Sequence, residues 1–350
     1  MITPWSSNST INLYQGAFKR HPFFIFLTFY HFCIKINIII FKENLWVDSR
    51  FRHVERGTPG MTRETNMSKY NFFKKYFPEN IFVLAVFLAI FSFVAFYLVD
   101  LRNFLGLRDF LFNTKPDYFF FTYHPFFFHH WGRNSGFAEL IQWTFLAGSI
   151  LVSAFLAGSF LDKKKENKNL FYFWLIMSIS FVLMLFEDTG DVRHVWMSYV
   201  QAIFDEPDQG LFGTIFEFVY FAVLGGLPLY ALIKYFKDLK KYKKVKNYIL
   251  IGFVFYALAG GFSFIGSAFE GIIDKNIYTI LGEKFYNFCL VIGDADLKNI
   301  WANWNENNWI YQIEFFLMDS LVEEGLEIIG GGAFVTASFL FLKSRIKSEK

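Results

Sequence analysis

The stretch DKKKENKNLFYFWLIMSISFVLMLFEDTGDVRHVW, residues 162–196, decides the fold. Four lysines precede 18 residues without a charge, 169–186, and then Glu187, Asp188 and Asp191 follow in quick succession. As an α-helix rising about 1.5 Å per residue, such a run crosses most of a hydrocarbon core about 30 Å thick. It reads as a membrane span with a basic end and an acidic end. Extended strands do not compete, because unpaired backbone groups do not survive in lipid.

Five more runs of this kind occur at roughly 81–100, 138–161, 212–233, 248–269 and 318–342, besides the one ending near 187. The chain of 350 residues, 54% hydrophobic and 22% aromatic, belongs to the polytopic membrane class. The expected fold is an all-α bundle of six spans from Met67 onward, with interfacial helices on its outer face. Cys33 and Cys289 lie far apart without a CxxC pattern, which argues against a disulfide framework or a thiolate metal site.

Lysine placement orients the spans. Lys69, Lys74 and Lys75, the run at 162–168, the run KYFKDLKKYKKVK at 234–246, and the C-terminal tail carry 18 basic residues. The intervening segments, roughly 101–137, 188–211 and 270–317, are far longer and carry eight. The positive-inside rule then places the C-terminus in the cytoplasm of a multi-pass inner-membrane protein. The basic residues report topology, so the lipid bilayer is the expected partner and nucleic acid is not.

Residues 1–66 differ from the rest, with five Arg against three Lys, while the remainder has five Arg against 21 Lys. Two readings stay open for them: an upstream extension, or a seventh span at 23–41. Residues 67–350 form the six-span domain. In two outer loops, FFFTYHPFFFHHWG (119–132) and LKNIWANWNENNWIYQ (297–312), aromatic density suits segments lying at headgroup level. Small residues at Ser149, Ser153 and Ala157, at Gly260, Gly261 and Gly266, and at Gly330–Gly332 predict close helix packing.

The acids carry the functional question. With the spans oriented, Glu139, Glu187, Asp188, Asp191, Glu217, Glu270, Asp319, Glu323, Glu324 and Glu327 all fall at the non-cytoplasmic end. If helical geometry persists past Gly190, then Glu187, Asp191 and His194 share one face at i, i+4 and i+7. Asp319, Glu323 and Glu327 form a second stripe, with Glu324 beside it. Ionised acids in hydrocarbon are costly, about 2.5–3.5 kcal/mol each on insertion scales. Arg193 is the best-placed basic partner, and protonation or a bound cation would serve the remainder.

Carboxylates with imidazole suit Zn, Mn or Fe, and carboxylates with water suit Mg. The expected metal ligands are Asp191, His194, Glu324 and Glu327. Glu187 or Glu323 is the expected general base, within a polar cluster that also holds Asp188, Arg193, Glu217, Glu270, Asp319 and Glu139. Three functions stay open: a metal-assisted membrane enzyme acting on a lipid-like substrate, a proton- or cation-coupled transporter, and a structural polar cluster.

The motifs EDxxDxRH at 187–194 and EEGLE at 323–327 loosely resemble a group of bacterial multi-span membrane proteins to which no activity attaches. The resemblance covers about 137–342 and implies that the two motifs meet in space. The second aspartate-rich motif of membrane prenyltransferases, the histidine set of membrane desaturases, GxSxG and HExxH are all missing.

Overall fold

The computed structural model describes residues 63–113, 126–132, 136–161, 164–204, 211–268, 277–307 and 312–348. Both readings of residues 1–66 fall almost wholly outside that set. Residues 71–350 cluster as one compact unit, and the architecture below is that unit's.

The described residues are almost entirely helical, with six helices long and apolar enough to cross a membrane. The chain is therefore an all-α, multi-pass integral membrane protein. Its membrane-spanning helices are α1 (Arg63–Phe96), α4 (Phe137–Gly158), α5 (Lys164–Gly190), α7 (Leu211–Leu239), α8 (Lys243–Ala268) and α12 (Glu324–Ser348). The sixth span runs over Ile313–Ile346, because the short α11 (Ile313–Phe316) and a π-helical stretch, Leu317–Glu323, continue into α12.

That last span is the central pole. Some 72% of its apolar window is buried, against 22–50% in the other five. Its glycines make this possible. A Cβ on Gly330 would stand 2.5 Å from the Tyr256 ring, and one on Gly332 would stand 2.2 Å from Cβ of Ala85. Without side chains there, α1 and α8 pack directly on the backbone of α12. The α4 stripe behaves as its spacing predicts, since Ser149, Ser153 and Ala157 are all buried.

Toward the lysine-rich end, Phe160, Phe173, Trp174, Phe181, Phe334 and Phe341 fill a continuous aromatic core. A second core occupies the opposite end, built from Phe126, Phe128, Cys289, Trp301, Phe316 and Leu321. Its surrounding elements are α2 (Leu107–Asn113), α3 (Phe127–Gly132), α9 (Ile277–Ile292) and α10 (Leu297–Asn307). Buried ionic contacts tie them together. Asp100 accepts the N–H groups of Phe127 (2.8 Å) and Phe128 (3.0 Å). Arg108, 1% exposed, reaches the Asp100 carbonyl at 3.1 Å and pairs with Asp294 at 2.9 Å.

Of the two aromatic outer segments, residues 119–125 and 308–311 lie outside the described set, and the described parts refine the expectation of headgroup-level aromatics. Phe126, Phe128 and Trp301 point inward, and Trp301 stacks on Tyr286 with ring centroids 5.2 Å apart. Apolar rings pack together when neighbouring segments fold over them, which a single segment's composition does not reveal. An exposed aromatic face occurs instead on α6 (Val192–Phe204), where Trp196, Tyr199 and Ile203 are uncovered.

Candidate functional site: an acidic cavity between the spans

The third span ends at Gly190, and Asp191 takes a left-handed conformation with φ of +47°. Short polar side chains tolerate that region better than most residues. The Asp191 N–H still closes onto the Glu187 carbonyl at 2.9 Å, after which α6 leaves in a new direction. The helix is thus broken inside EDxxDxRH, and the condition behind the Glu187–Asp191–His194 stripe is not met. The break instead turns Arg193 into the bundle.

Arg193, 7% exposed, is the hub of the site. Its backbone N–H donates to Glu187 Oε2 at 3.0 Å, and its Nε lies 3.3 Å from Glu187 Oε1. Nη1 lies 3.2 Å from Oε1 of Glu217, itself 1% exposed, and donates to Ser263 Oγ at 3.3 Å. The guanidinium sits 4.9 Å from the Phe221 ring centre, and the Tyr220 hydroxyl donates to Glu187 at 2.7 Å. One cation therefore serves two acids contributed by different spans, with hydrogen bonds completing the geometry.

A second knot forms on α4. Gln142, 1% exposed, turns its side-chain nitrogen toward Asp188 (2.7 Å), Glu327 (2.5 Å) and the Tyr256 hydroxyl (3.3 Å). An amide nitrogen has two protons, so it donates to two carboxylates held on different helices. The EDxxDxRH and EEGLE motifs consequently meet across Gln142.

The π-helical stretch delivers Asp319 and Glu323, and the first turn of α12 delivers Glu324 and Glu327. Such stretches recur at functional positions because they shift side-chain phase within a helix. Asp319, Glu323, Glu324 and Glu327 all line one cavity of about 720 Å³ together with Glu139, Gln142, Glu187, Asp188, Asp191, Arg193 and His194. The rest of the lining is largely apolar, with Phe218, Phe221, Leu224, Gly225 and Pro228 of α7 and Phe253, Ala257, Gly260 and Gly261 of α8. Gly260 and Gly261 were expected to pack helices. A Cβ on Gly260 would stand 3.9 Å from the Phe221 ring, in ordinary contact with α7, whereas one on Gly261 would meet nothing within 4 Å and faces open space.

At the rim, His194 Nδ1 bonds Asp191 Oδ1, and both side chains are substantially exposed, at 44% and 67%. Against an ionised aspartate this fixes the proton on Nδ1 and leaves Nε2 as the basic nitrogen. His194 Nε2 lies 3.4 Å from Nη2 of Arg193. On the cavity-lining residues Glu324 and Trp143, the buried atoms Oε2 and Nε1 have no hydrogen-bond partner among the described residues.

Of the expected polar cluster, Glu217 enters through Arg193, while Glu270 lies outside the described residues. Among the described residues, no three His, Cys, Asp or Glu side chains are grouped so as to hold a metal ion. Gln142, Trp143, Tyr220, Tyr256 and Ser263 are additions that sequence reasoning missed. Gln142 alone carried a signal, as an amide three residues from Glu139 inside an otherwise apolar span. Comparison with protein-family models, curated proteins and solved structures gives no match.

Proposed function

We propose that this integral membrane protein is a membrane enzyme that takes a lipid-like, amphipathic substrate into the cavity and acts on its polar head by proton transfer. One observation carries the reading: a single cavity within the spans joins a carboxylate-rich end to a wall of aromatic and aliphatic side chains. Pockets of roughly 300–1,000 Å³ with a few convergent polar groups are the usual setting for small-molecule sites. The lysine flanks put this polar end on the non-cytoplasmic side of an inner membrane, with the C-terminus cytoplasmic.

In this reading His194, oriented by Asp191, is the general base toward water or a substrate hydroxyl, and Glu323 is its acidic counterpart. Glu187 is held by Arg193 and Tyr220, which suits positioning better than proton transfer. A divalent metal on Asp191, His194, Glu324 and Glu327 would require those groups to converge, and the described residues hold no such grouping. A carrier would need a polar lining that continues to the lysine-rich end, where the described residues build the aromatic core instead.

The test is turnover of membrane lipid. Purified protein is reconstituted with extract from the membranes it was expressed in, and lipid species are followed by mass spectrometry. Wild type should convert at least one species, His194→Ala and Glu323→Gln should not, and all three should unfold alike. Identical lipid profiles for wild type and both variants would remove the enzyme reading. Stoichiometric metal in the wild type, lost in Glu327→Gln, would restore the metal-assisted route.

A further inference from the structure

Among the described residues, α6 lines the cavity only at Arg193 and His194, and the rest of the helix has a different setting. Its inner side rests on α7. Nη1 of Arg193 meets Glu217 at 3.2 Å, and buried Gln201 packs so closely that a Cβ on Gly213 would stand 3.1 Å from its Nε2. On the outer side Val195, Trp196, Tyr199, Ile203 and Phe204 are exposed. No residue from 195 to 204 carries a charge. A surface helix in water keeps its apolar stripe inward and its charges outward, so α6 is inverted. Exposed apolar faces of this kind mark contact with a membrane or another protein.

The contacts of α6 fix its level and decide between those two. Gly213 and Glu217 stand near the start of the span Phe212–Leu239, so α6 crosses α7 where the apolar run begins. At that depth a bilayer passes from hydrocarbon to head groups, a layer in which Trp and Tyr are favoured. The outer side of α6 is also continuous with surface that faces lipid. Phe204 stacks on Phe212 with ring centroids 4.3 Å apart, and Ile215, Phe218 and Val219 continue the exposed apolar strip along α7. Trp196 and Tyr199 lean together on the same side of α6, their centroids 6.2 Å apart. Ser198 marks the opposite flank, about 140° around the helix from Ile203. Its side chain is exposed, and its hydroxyl donates to the His194 carbonyl at 2.8 Å.

We propose that α6 is a bilayer-binding helix that lies along the head-group–acyl boundary, with Trp196, Tyr199 and Ile203 in lipid and Ser198 toward water. The partner is phospholipid of the leaflet at the acidic end of the spans. This seat reaches the cavity, because Arg193 belongs to the first turn of the same helix. The leaflet that holds α6 thereby steadies the cation joining Glu187 to Glu217. The inference requires only that the chain spans a membrane and stands apart from the enzyme reading.

Quenching of a fluorophore on α6 tests the seat in nanodiscs of phosphatidylcholine, which leave both membrane faces open to solvent. Bimane is attached to the full chain carrying Cys33→Ser and one of Tyr199→Cys, Ile203→Cys or Ser198→Cys, with Cys289 protected by burial. Iodide probes water. Phosphatidylcholine bearing a nitroxide probes lipid, with the spin label either high on the acyl chain or at its end. Labels at 199 and 203 should be quenched most by the shallow nitroxide and least by iodide. The label at 198 should be quenched more by iodide than by either nitroxide.

Iodide quenching at 199 or 203 equal to that at 198 would place this face in water. Stronger quenching by the deep nitroxide would place it in hydrocarbon, and protection from every quencher would mean that a second copy or another protein covers it. Any of these overturns the proposal. The link to Arg193 is read by amide exchange in the same nanodiscs. Trp196→Asn with Ile203→Asn should accelerate exchange across residues 193–204 at least about tenfold, as expected when two large apolar side chains no longer favour lipid, while α12 stays protected. Exchange at Arg193 equal to wild type would refute the link and leave the seat standing.

Discussion

Replacing Arg193 with methionine removes the one cation shared by Glu187 and Glu217 while keeping a side chain of similar length. Glu217 is 1% exposed and loses a partner at 3.2 Å. Glu187 keeps the Tyr220 hydroxyl at 2.7 Å and the residue-193 backbone N–H at 3.0 Å. Most of the loss should therefore fall on Glu217. Removing one member of a buried ion pair costs about 3–5 kcal/mol, and the retained bonds to Glu187 favour the lower end, about 3 kcal/mol. The assay is reversible unfolding in mixed micelles titrated with dodecyl sulfate, followed by tryptophan fluorescence. Adding Glu217→Gln to Arg193→Met should restore about 2 kcal/mol, because the uncompensated charge is then gone. A loss below about 1 kcal/mol for the single variant would refute the role of Arg193 as buried neutraliser. A double variant no more stable than the single would refute it as well.

Gln142→Leu leaves Asp188 and Glu327 without their shared donor and should destabilise by about 1–3 kcal/mol in the same titration. Gln142→Glu should be worse, since it adds an acid among acids. Asp294→Ala leaves Arg108 buried with the Asp100 carbonyl as its remaining strong contact, so amide exchange should accelerate across α9 and α10 while α4 and α12 stay protected. Burial pushes the Cys289 thiol up to about 12 from an ordinary value of 9.0. The fold thus holds the thiol neutral: its contribution is intact below about pH 9 and is lost as pH rises toward 12. In a Cys33→Ser chain, maleimide at pH 8 should label Cys289 only after unfolding, and rapid labelling of the native protein would contradict its burial.

What residues 162–196 determine alone is local physics. A run of 18 residues without a charge must be helical in lipid, and clustered lysines at one end set a direction shared by every span. Helical spacing follows from counting residues, which is why Glu323, Glu324 and Glu327 could be placed near one another before any contact was known. Arg193 was legible as the basic partner of the acids, but its two carboxylate partners, Gln142 and the role of Gly261 in α8 were beyond that reach. The turn at Asp191 changes the phase of everything after it, so a periodicity drawn through Gly190 put His194 where Arg193 stands. A glycine that packs and a glycine that borders a void look the same in sequence. Gly330 lies under the Tyr256 ring, whereas Gly261 faces space left between α7 and α8. Trp301 is covered because α9 folds over it, and Gln142 becomes a bridge because α5 and α12 each bring one acid within reach. Helix existence and polarity depend on neighbours in the chain. The site depends on which helix faces meet, and only the packed bundle decides that.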